Sequence, residues 1–148
     1  MILLIEDDPS DARLIQRALG KLGLTDLVTR LKNGEDAVSY LRGDLPYENR
    51  RLYPLPSVIL LDIKLPKKNG FEVLEWVRRQ ASVLRRTPVI MLTSSRHAVD
   101  INRAYDLGAN SYLVKPESAE MLNDLTRRIK EYWMGTNENP AFEAGLGV

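Results

Sequence analysis

Val58-Ile59-Leu60-Leu61-Asp62-Ile63-Lys64-Leu65-Pro66 decides the reading of this chain: an unbroken apolar run ends abruptly on an acid, and a proline soon follows. A short run without polar alternation suits a strand covered on both faces, as in a parallel sheet packed between helices. Four comparable runs surround it: Ile2 to Ile5, Leu27 to Leu31, Val89 to Leu92 and Tyr112 to Val114. Thr29 and Arg30 interrupt the second of these, which predicts an edge strand; the other runs read as fully buried.

Amphipathic stretches fill the intervals. Leu14, Ile15, Ala18, Leu19 and Leu22 recur at helical spacing after Asp8-Pro9, a cap with proline at the first helical position. A second helix opens at Asn33-Gly34-Glu35-Asp36, turns Ala37, Val38 and Leu41 inward, and stops at Gly43. Phe71, Leu74 and Val77 predict a third, beginning near Gly70; Ile101, Ala104 and Tyr105 a fourth, ending at Gly108; Leu122, Leu125, Ile129 and Tyr132 or Trp133 a fifth. Alternation of this kind predicts an α/β fold, a five-stranded parallel sheet with helices on both faces. Two segments break the rhythm. Gly43 to Ser57 is a long loop with Pro46, Pro54 and Pro56, read as a partner surface, and the polar, Gly-containing tail after Met134 reads as flexible or as a docking arm.

With 148 residues, 44% of them apolar, the chain suits one domain with a real core. A formal charge of +1 argues against direct nucleic-acid binding and against an anionic membrane surface, both of which need an excess of Lys and Arg. The apolar start Met1 to Ile5 lacks a basic leader and is too short for a signal peptide or membrane span. Absence of cysteine removes thiolate chemistry and suits a reducing compartment, the cytoplasm by default.

In an open parallel sheet, ligands bind beyond the carboxyl ends of the strands. Those ends carry Glu6, Asp7 and Asp8; Asp62; Thr93, Ser94 and Ser95; and Lys115-Pro116. Carboxylates converging from two strands repel unless a cation lies between them, and their hard oxygens suit Mg²⁺. Such an ion, a hydroxyl and an ammonium together can hold a phosphoryl group in transfer, with Asp62 as the nucleophile that becomes an acyl phosphate.

Leu3 to Pro9, Leu60 to Pro66, Asn69-Gly70, Pro88 to Thr93 and Tyr112 to Pro116 resemble, in order and spacing, the signature segments of response-regulator receiver domains. The resemblance covers residues 1–133, leaves 134–148 as a tail, and implies the flavodoxin-like, doubly wound receiver fold. It implies that Glu6 and Asp7 form the acidic Mg²⁺ pocket with Asp62, that Asp62 accepts phosphoryl from a histidine kinase, and that the Lys64 backbone carbonyl also ligates the metal. It assigns Thr93 and Lys115 to the phosphoryl oxygens, with a cis bond from Lys115 to Pro116. Thr93 and Tyr112 become the switch pair, and Lys64 and Ser95 the positions that tune hydrolysis. Asp8 reads as a helix cap rather than a metal ligand, and His97, the only histidine, as a surface residue. Glu117 departs from the aromatic or apolar residue that often follows the Lys-Pro pair.

Too few residues follow the receiver for an effector domain, so output is expected through binding. The long proline-containing loop and Tyr132-Trp133 resemble stand-alone receivers associated with phytochrome kinases. Tyr132, Trp133 and Phe142 would support a homodimer if exposed together. Arg50, Arg51, Arg85 and Arg86 precede strands at the end opposite the acids and read as solvated loop charges. The rival function is a Mg²⁺-dependent aspartyl-phosphate phosphatase of haloacid dehalogenase type, disfavoured because its second Asp would stand where this chain has Lys64. A flavodoxin-like cofactor carrier would want a Ser-, Thr- or Gly-rich loop where Glu6-Asp7-Asp8 stands, and a receiver that no longer phosphorylates would not keep the full residue set.

Overall fold

The computed structural model describes residues 1–141. Strands β1 (Ile2–Ile5), β2 (Val28–Leu31), β3 (Val58–Leu61), β4 (Val89–Thr93) and β5 (Ser111–Val114) form one parallel sheet in the order β2-β1-β3-β4-β5. Helices α1 (Pro9–Lys21), α2 (Gly34–Arg42), α3 (Gly70–Arg78), α4 (Ala98–Asp106) and α5 (Ala119–Glu131) alternate with them. Chain direction across the sheet reverses between β1 and β3, which opens a crevice at their carboxyl ends.

Alternating strand residues point to opposite faces, and the core divides accordingly. Ile2, Leu4, Val58, Leu60, Ile90 and Leu92 pack under α1 and α5 with Ile15, Leu19, Leu122 and Ile129. Leu3, Ile5, Ile59, Leu61, Val89 and Met91 pack under α2, α3 and α4 with Leu41, Phe71, Leu74, Val77 and Ala104. The five-stranded, doubly wound α/β expectation therefore holds.

Several expectations need correction. Leu27 belongs to a short 3-10 turn, so β2 begins at Val28. β5 is half-buried rather than fully buried, because it is the far edge of the sheet and α4 offers it only one buried residue, Ala104. Leu14 and Tyr105 lie outside on their helices, the inward stripe of α1 being carried by Ala12, Ile15, Ala18 and Leu19. The cis peptide bond falls at Leu45–Pro46 and not at Lys115–Pro116. Trans is the intrinsically favoured form of an X–Pro bond, and with it Lys115 still reaches the acidic crevice.

Arg50 is structural rather than a solvated charge. Its guanidinium donates to the carbonyl oxygens of Tyr40 (2.8 Å), Leu41 (2.8 Å) and Tyr53 (3.2 Å), closing the orphan carbonyls of α2 onto the Gly43–Ser57 loop. The Tyr40 hydroxyl donates to the Pro54 carbonyl, and the rings of Tyr40, Tyr47 and Tyr53 meet at centroid separations of 5.1–6.1 Å. Arg51, Arg85 and Arg86 are exposed, as expected. Arg78 makes a second such anchor: it donates to the carbonyls of Gly108, Arg85 and Thr87 and to Asn110 Oδ1, joining α3 to the turn that follows α4.

After α5 the chain makes a π-turn over Tyr132–Thr136. Trp133 and Met134 pack on the α1–α5 core, while Tyr132 stands outside with its ring edge-on to Trp133 at 5.0 Å. Asn139 and Pro140 return to line a cavity of about 130 Å³ with Pro56, Ser57, Val83, Thr87 and Pro88. Phe142 lies outside the described residues.

Candidate functional site

The crevice is built from strand ends and the turns that hold them. Arg30 of β2 donates from Nε to the Glu6 carbonyl (3.0 Å) and from Nη2 to the Asp7 carbonyl (3.2 Å), so the residue that interrupts the β2 run fixes the acidic turn. Asp62 N–H donates to the Ile5 carbonyl, tying the end of β3 to the end of β1. The Asp62 carboxylate accepts from its neighbour Ile63 N–H at 2.7 Å. Gly70 packs its α-carbon against this segment, where a Cβ would fall 2.1 Å from the Asp62 carbonyl oxygen.

Glu6, Asp7 and Asp62 each present a carboxylate oxygen, and the three oxygens lie within 4.8 Å of one another. Glu6 and Asp62 are buried and Asp7 is exposed, which leaves one open side. That donor set suits a divalent cation: three hard anionic oxygens, with room for water or an incoming oxygen ligand. Lys115 Nζ donates to Asp62 Oδ2 at 2.7 Å, to Asp11 Oδ2 at 2.9 Å and to Glu6 Oε1.

Burial pushes the Glu6 carboxyl up to about 7, helped by the neighbouring Asp62 and opposed by Lys115. Burial also pushes Asp62 upward, yet hydrogen bonds involving Lys115, Glu6 and Thr93 outweigh it and hold Asp62 below the usual carboxylate value. Lys115 is raised despite its burial, because Asp62, Glu6 and Asp11 all favour the ammonium. The site therefore keeps Asp62 ionised and Lys115 charged at neutral pH.

Most of the expected residues converge here: Glu6, Asp7, Asp62, Lys115 and the buried Thr93, whose hydroxyl lies beside Asp62. Asp8 caps α1, accepting from Asp11 N–H at 2.9 Å, as anticipated. Tyr112 lies half-buried, its hydroxyl donating to the Ser95 carbonyl at 3.0 Å. Ser95 does not turn to the crevice; its hydroxyl donates to Asp100 Oδ2 at 2.5 Å in the first turn of α4. The Lys64 side chain and His97 are exposed. Two contributors escaped sequence reasoning, Asp11 and Arg30, because neither sits at a strand end in the apolar pattern.

The family model for the response regulator receiver domain matches residues 2–127. The chain belongs to the response regulator receiver family. This receiver is 44% identical over 140 residues to the probable methanogenesis regulatory protein FilR2 of Methanothrix harundinacea, covering 95% of this chain and 87% of that one. It is 36% identical to response regulator Rcp1 of Synechocystis, covering 95% and 93%. The crystal structure of the phosphorylated cyanobacterial phytochrome response regulator RcpA superposes with a TM-score of 0.86 at 37% identity, covering 95% of this chain and 97% of that one. The Mn²⁺-bound form of Rcp1 gives 0.81 at 35% identity, covering 95% and 98%. The receiver is thus a two-component signalling module of the Rcp1 and RcpA kind, and the phosphatase alternative finds no support. Receiver domains accept phosphoryl groups from sensor histidine kinases. Among the described residues no helix is long and apolar enough to cross a membrane.

Proposed function

We propose that Asp62 accepts a phosphoryl group from a sensor histidine kinase in the cytoplasm, with Mg²⁺ held by Glu6, Asp7, Asp62 and the Lys64 backbone carbonyl. The observation that carries this reading is the ammonium of Lys115 lodged between Asp62 and Glu6, in a crevice whose three carboxylates suit a divalent ion. The bound ion would supply charge neutralisation for the phosphoryl oxygens. Asp62 contributes the attacking oxygen: an O–P bond forms as the bond from phosphorus to its donor breaks, and the donor leaves with that electron pair. Lys115 and the buried Thr93 hydroxyl hold the remaining phosphoryl oxygens, which positions and neutralises the group without a separate base.

Phosphorylation adds roughly −1.5 to −2 charges and three acceptor oxygens beside Thr93. Drawing Thr93 inward disturbs the turn that carries Ser95, whose carbonyl is the Tyr112 hydroxyl's acceptor. Thr93 and Tyr112 then relay the change to the face made by α4, β5 and α5; Lys64 tunes hydrolysis from its exposed position, and Ser95 does so once released from Asp100.

Output would run through the receiver, residues 1–133, and a tail, 134–148, that serves as a docking arm, although Met134 packs on the core. With Trp133 packed inward, the aromatic cluster proposed for a homodimer is left with exposed Tyr132 among the described residues. Likeness to Rcp1 and RcpA supports a phytochrome-type kinase as the donor.

Incubation with acetyl phosphate and Mg²⁺, followed by intact mass measurement, tests the central claim. One labile phosphoryl adduct is expected, absent in Asp62→Asn. An adduct that survives Asp62→Asn, or none in the wild type, overturns it. Light scattering with and without phosphorylation decides the dimer, a monomer in both states counting against it.

A further inference from the structure

Asp11 is the third residue of α1, the position from which an acidic side chain ordinarily reaches back to the N-cap N–H to complete a capping box. Here it does not. The N–H of Asp8 is directed instead to Glu6 Oε2 at 3.4 Å, and Asp8 alone accepts from Asp11 N–H. Released from the cap, the Asp11 carboxylate crosses to Lys115 Nζ at 2.9 Å, bridging 104 residues of sequence.

Three carboxylates meet the Lys115 ammonium, and two of them, Glu6 and Asp62, belong to the set that would hold the metal. Oxygens shared with a divalent ion give up much of their hold on the lysine. Asp11 lies outside that set. It is also the solvent-side partner, its side chain 39% exposed against 1% for Glu6 and 8% for Asp62. A phosphoryl group on Asp62 would need the ammonium drawn off its two buried partners, and Asp11 is the partner nearer solvent.

We propose that Asp11 is a positioning residue for phosphoryl transfer, holding the Lys115 ammonium at the mouth of the crevice while Glu6 and Asp62 serve as metal ligands. This rests on the phosphoacceptor reading above. Asp11 touches neither metal nor phosphoryl group and acts only through Lys115, so its effect vanishes when the lysine is gone.

The test is a double-mutant cycle on Asp11→Asn and Lys115→Gln, read in two ways. With saturating Mg²⁺ and acetyl phosphate, Asp11→Asn is expected to slow formation of the Asp62 adduct about three- to tenfold, the scale of one partly exposed charge-assisted hydrogen bond. On the Lys115→Gln background the same change is expected to alter the rate by less than about 1.5-fold, within the additivity error of such cycles. In the metal-free protein, thermal unfolding of the same four proteins reports whether the two residues are coupled without any chemistry. Non-additive midpoints support the tether, and Lys115→Met replaces Lys115→Gln if the latter does not fold. A wild-type labelling rate in Asp11→Asn overturns the proposal, as does an equal loss on both backgrounds, which would mark a purely structural cap. If wild-type protein forms no adduct sensitive to Asp62→Asn, the phosphoacceptor reading falls instead. Additive midpoints in the metal-free cycle would then overturn the tether too.

Discussion

Replacing Gly70 by alanine puts one methyl group against the backbone that carries Asp62, the proposed phosphoacceptor. An ideal Cβ there lies 2.1 Å from the Asp62 carbonyl oxygen and 2.9 Å from both the Asp62 carbonyl carbon and Ile63 Cα. Even a close carbon–oxygen contact needs about 3.3 Å, so the two segments must part by more than about 1 Å. Neither moves easily. Gly70 N–H is bonded to the Ile63 carbonyl at 2.9 Å, Asp62 N–H to Ile5, and α3 is fixed by the reciprocal cap of Asn69 and Glu72. Overpacking costs about 1–3 kcal/mol, and a backbone clash belongs at the upper end, about 3 kcal/mol. At about 2–4 °C per kcal/mol for a chain of this size, the melting temperature should fall by about 6–12 °C. Misplacement of reacting groups by about 1 Å costs on the order of 10²-fold in rate, so acetyl phosphate labelling should slow far more than the stability loss explains. Gly34→Ala provides the comparison: its Cβ would strike the Lys68 carbonyl oxygen at 1.9 Å, straining the same loop away from Asp62. It should cost similar stability and much less labelling. Circular dichroism melts and intact mass time courses measure both quantities. A Gly70→Ala protein melting within about 2 °C of wild type, or labelling at the wild-type rate, would refute the reasoning.

Four further outcomes follow from the site and the loops. Metal binding requires ionised Glu6, which burial raises to about 7, so apparent Mg²⁺ affinity by calorimetry should be flat above pH 7 and fall up to about tenfold per unit below it; a flat profile down to pH 5.5 would contradict this. Because folding favours protonated Glu6, its contribution to metal-free stability is full below the usual 4.5 and lost as pH rises through about 7, and Mg²⁺ should reverse that loss. Arg50→Ala removes three bonds to carbonyls and should cost about 1–3 kcal/mol, with faster limited proteolysis in Gly43–Ser57 and undiminished labelling; resistance equal to wild type would show that the tyrosines alone hold the loop. Tyr112→Phe deletes the bond to the Ser95 carbonyl, worth about 0.5–1.5 kcal/mol; labelling should persist while phosphorylation-induced amide shifts in α4 and β5 shrink. Unchanged shifts would remove Tyr112 from the switch.

Much of this was legible in the chain because parallel strands leave a simple trace. Val58-Ile59-Leu60-Leu61 has no polar face, and the residue after it must emerge at the sheet's carboxyl edge, so Asp62 was placed by the run before it. Asn33 and Gly43 marked the two ends of α2 through their own chemistry and were found where expected, and α3 opens at Gly70 as read. What stayed hidden depends on distance in sequence. The Asp11 to Lys115 pair spans 104 positions, and nothing local distinguishes Asp11 from an ordinary acidic residue in a first helical turn. Arg30 looked like an interruption of a strand because its role lies in carbonyls of the turn that follows the neighbouring strand. Arg50 looked like loop charge because periodicity is blind to which carbonyls a helix leaves open. Leu14 and Tyr105 misled in the opposite sense: apolar residues at nearly the right phase still sit outside when the buried arc is narrow.

The Arg78 anchor has a mechanical consequence. It pins the turn just beyond α4 through Gly108 and Asn110, while the other end of the helix hangs from the Ser95–Asp100 contact on the strand-end turn. A rod fastened at one end and pulled at the other rotates instead of sliding. With nine residues, α4 is a lever of about 13 Å. A pull of about 1 Å at its free end becomes a tilt of roughly 4° about the Arg78 pivot. Exposed Val99, one residue into the helix, would sweep nearly the whole arc, and Tyr105, beside the pivot, almost none.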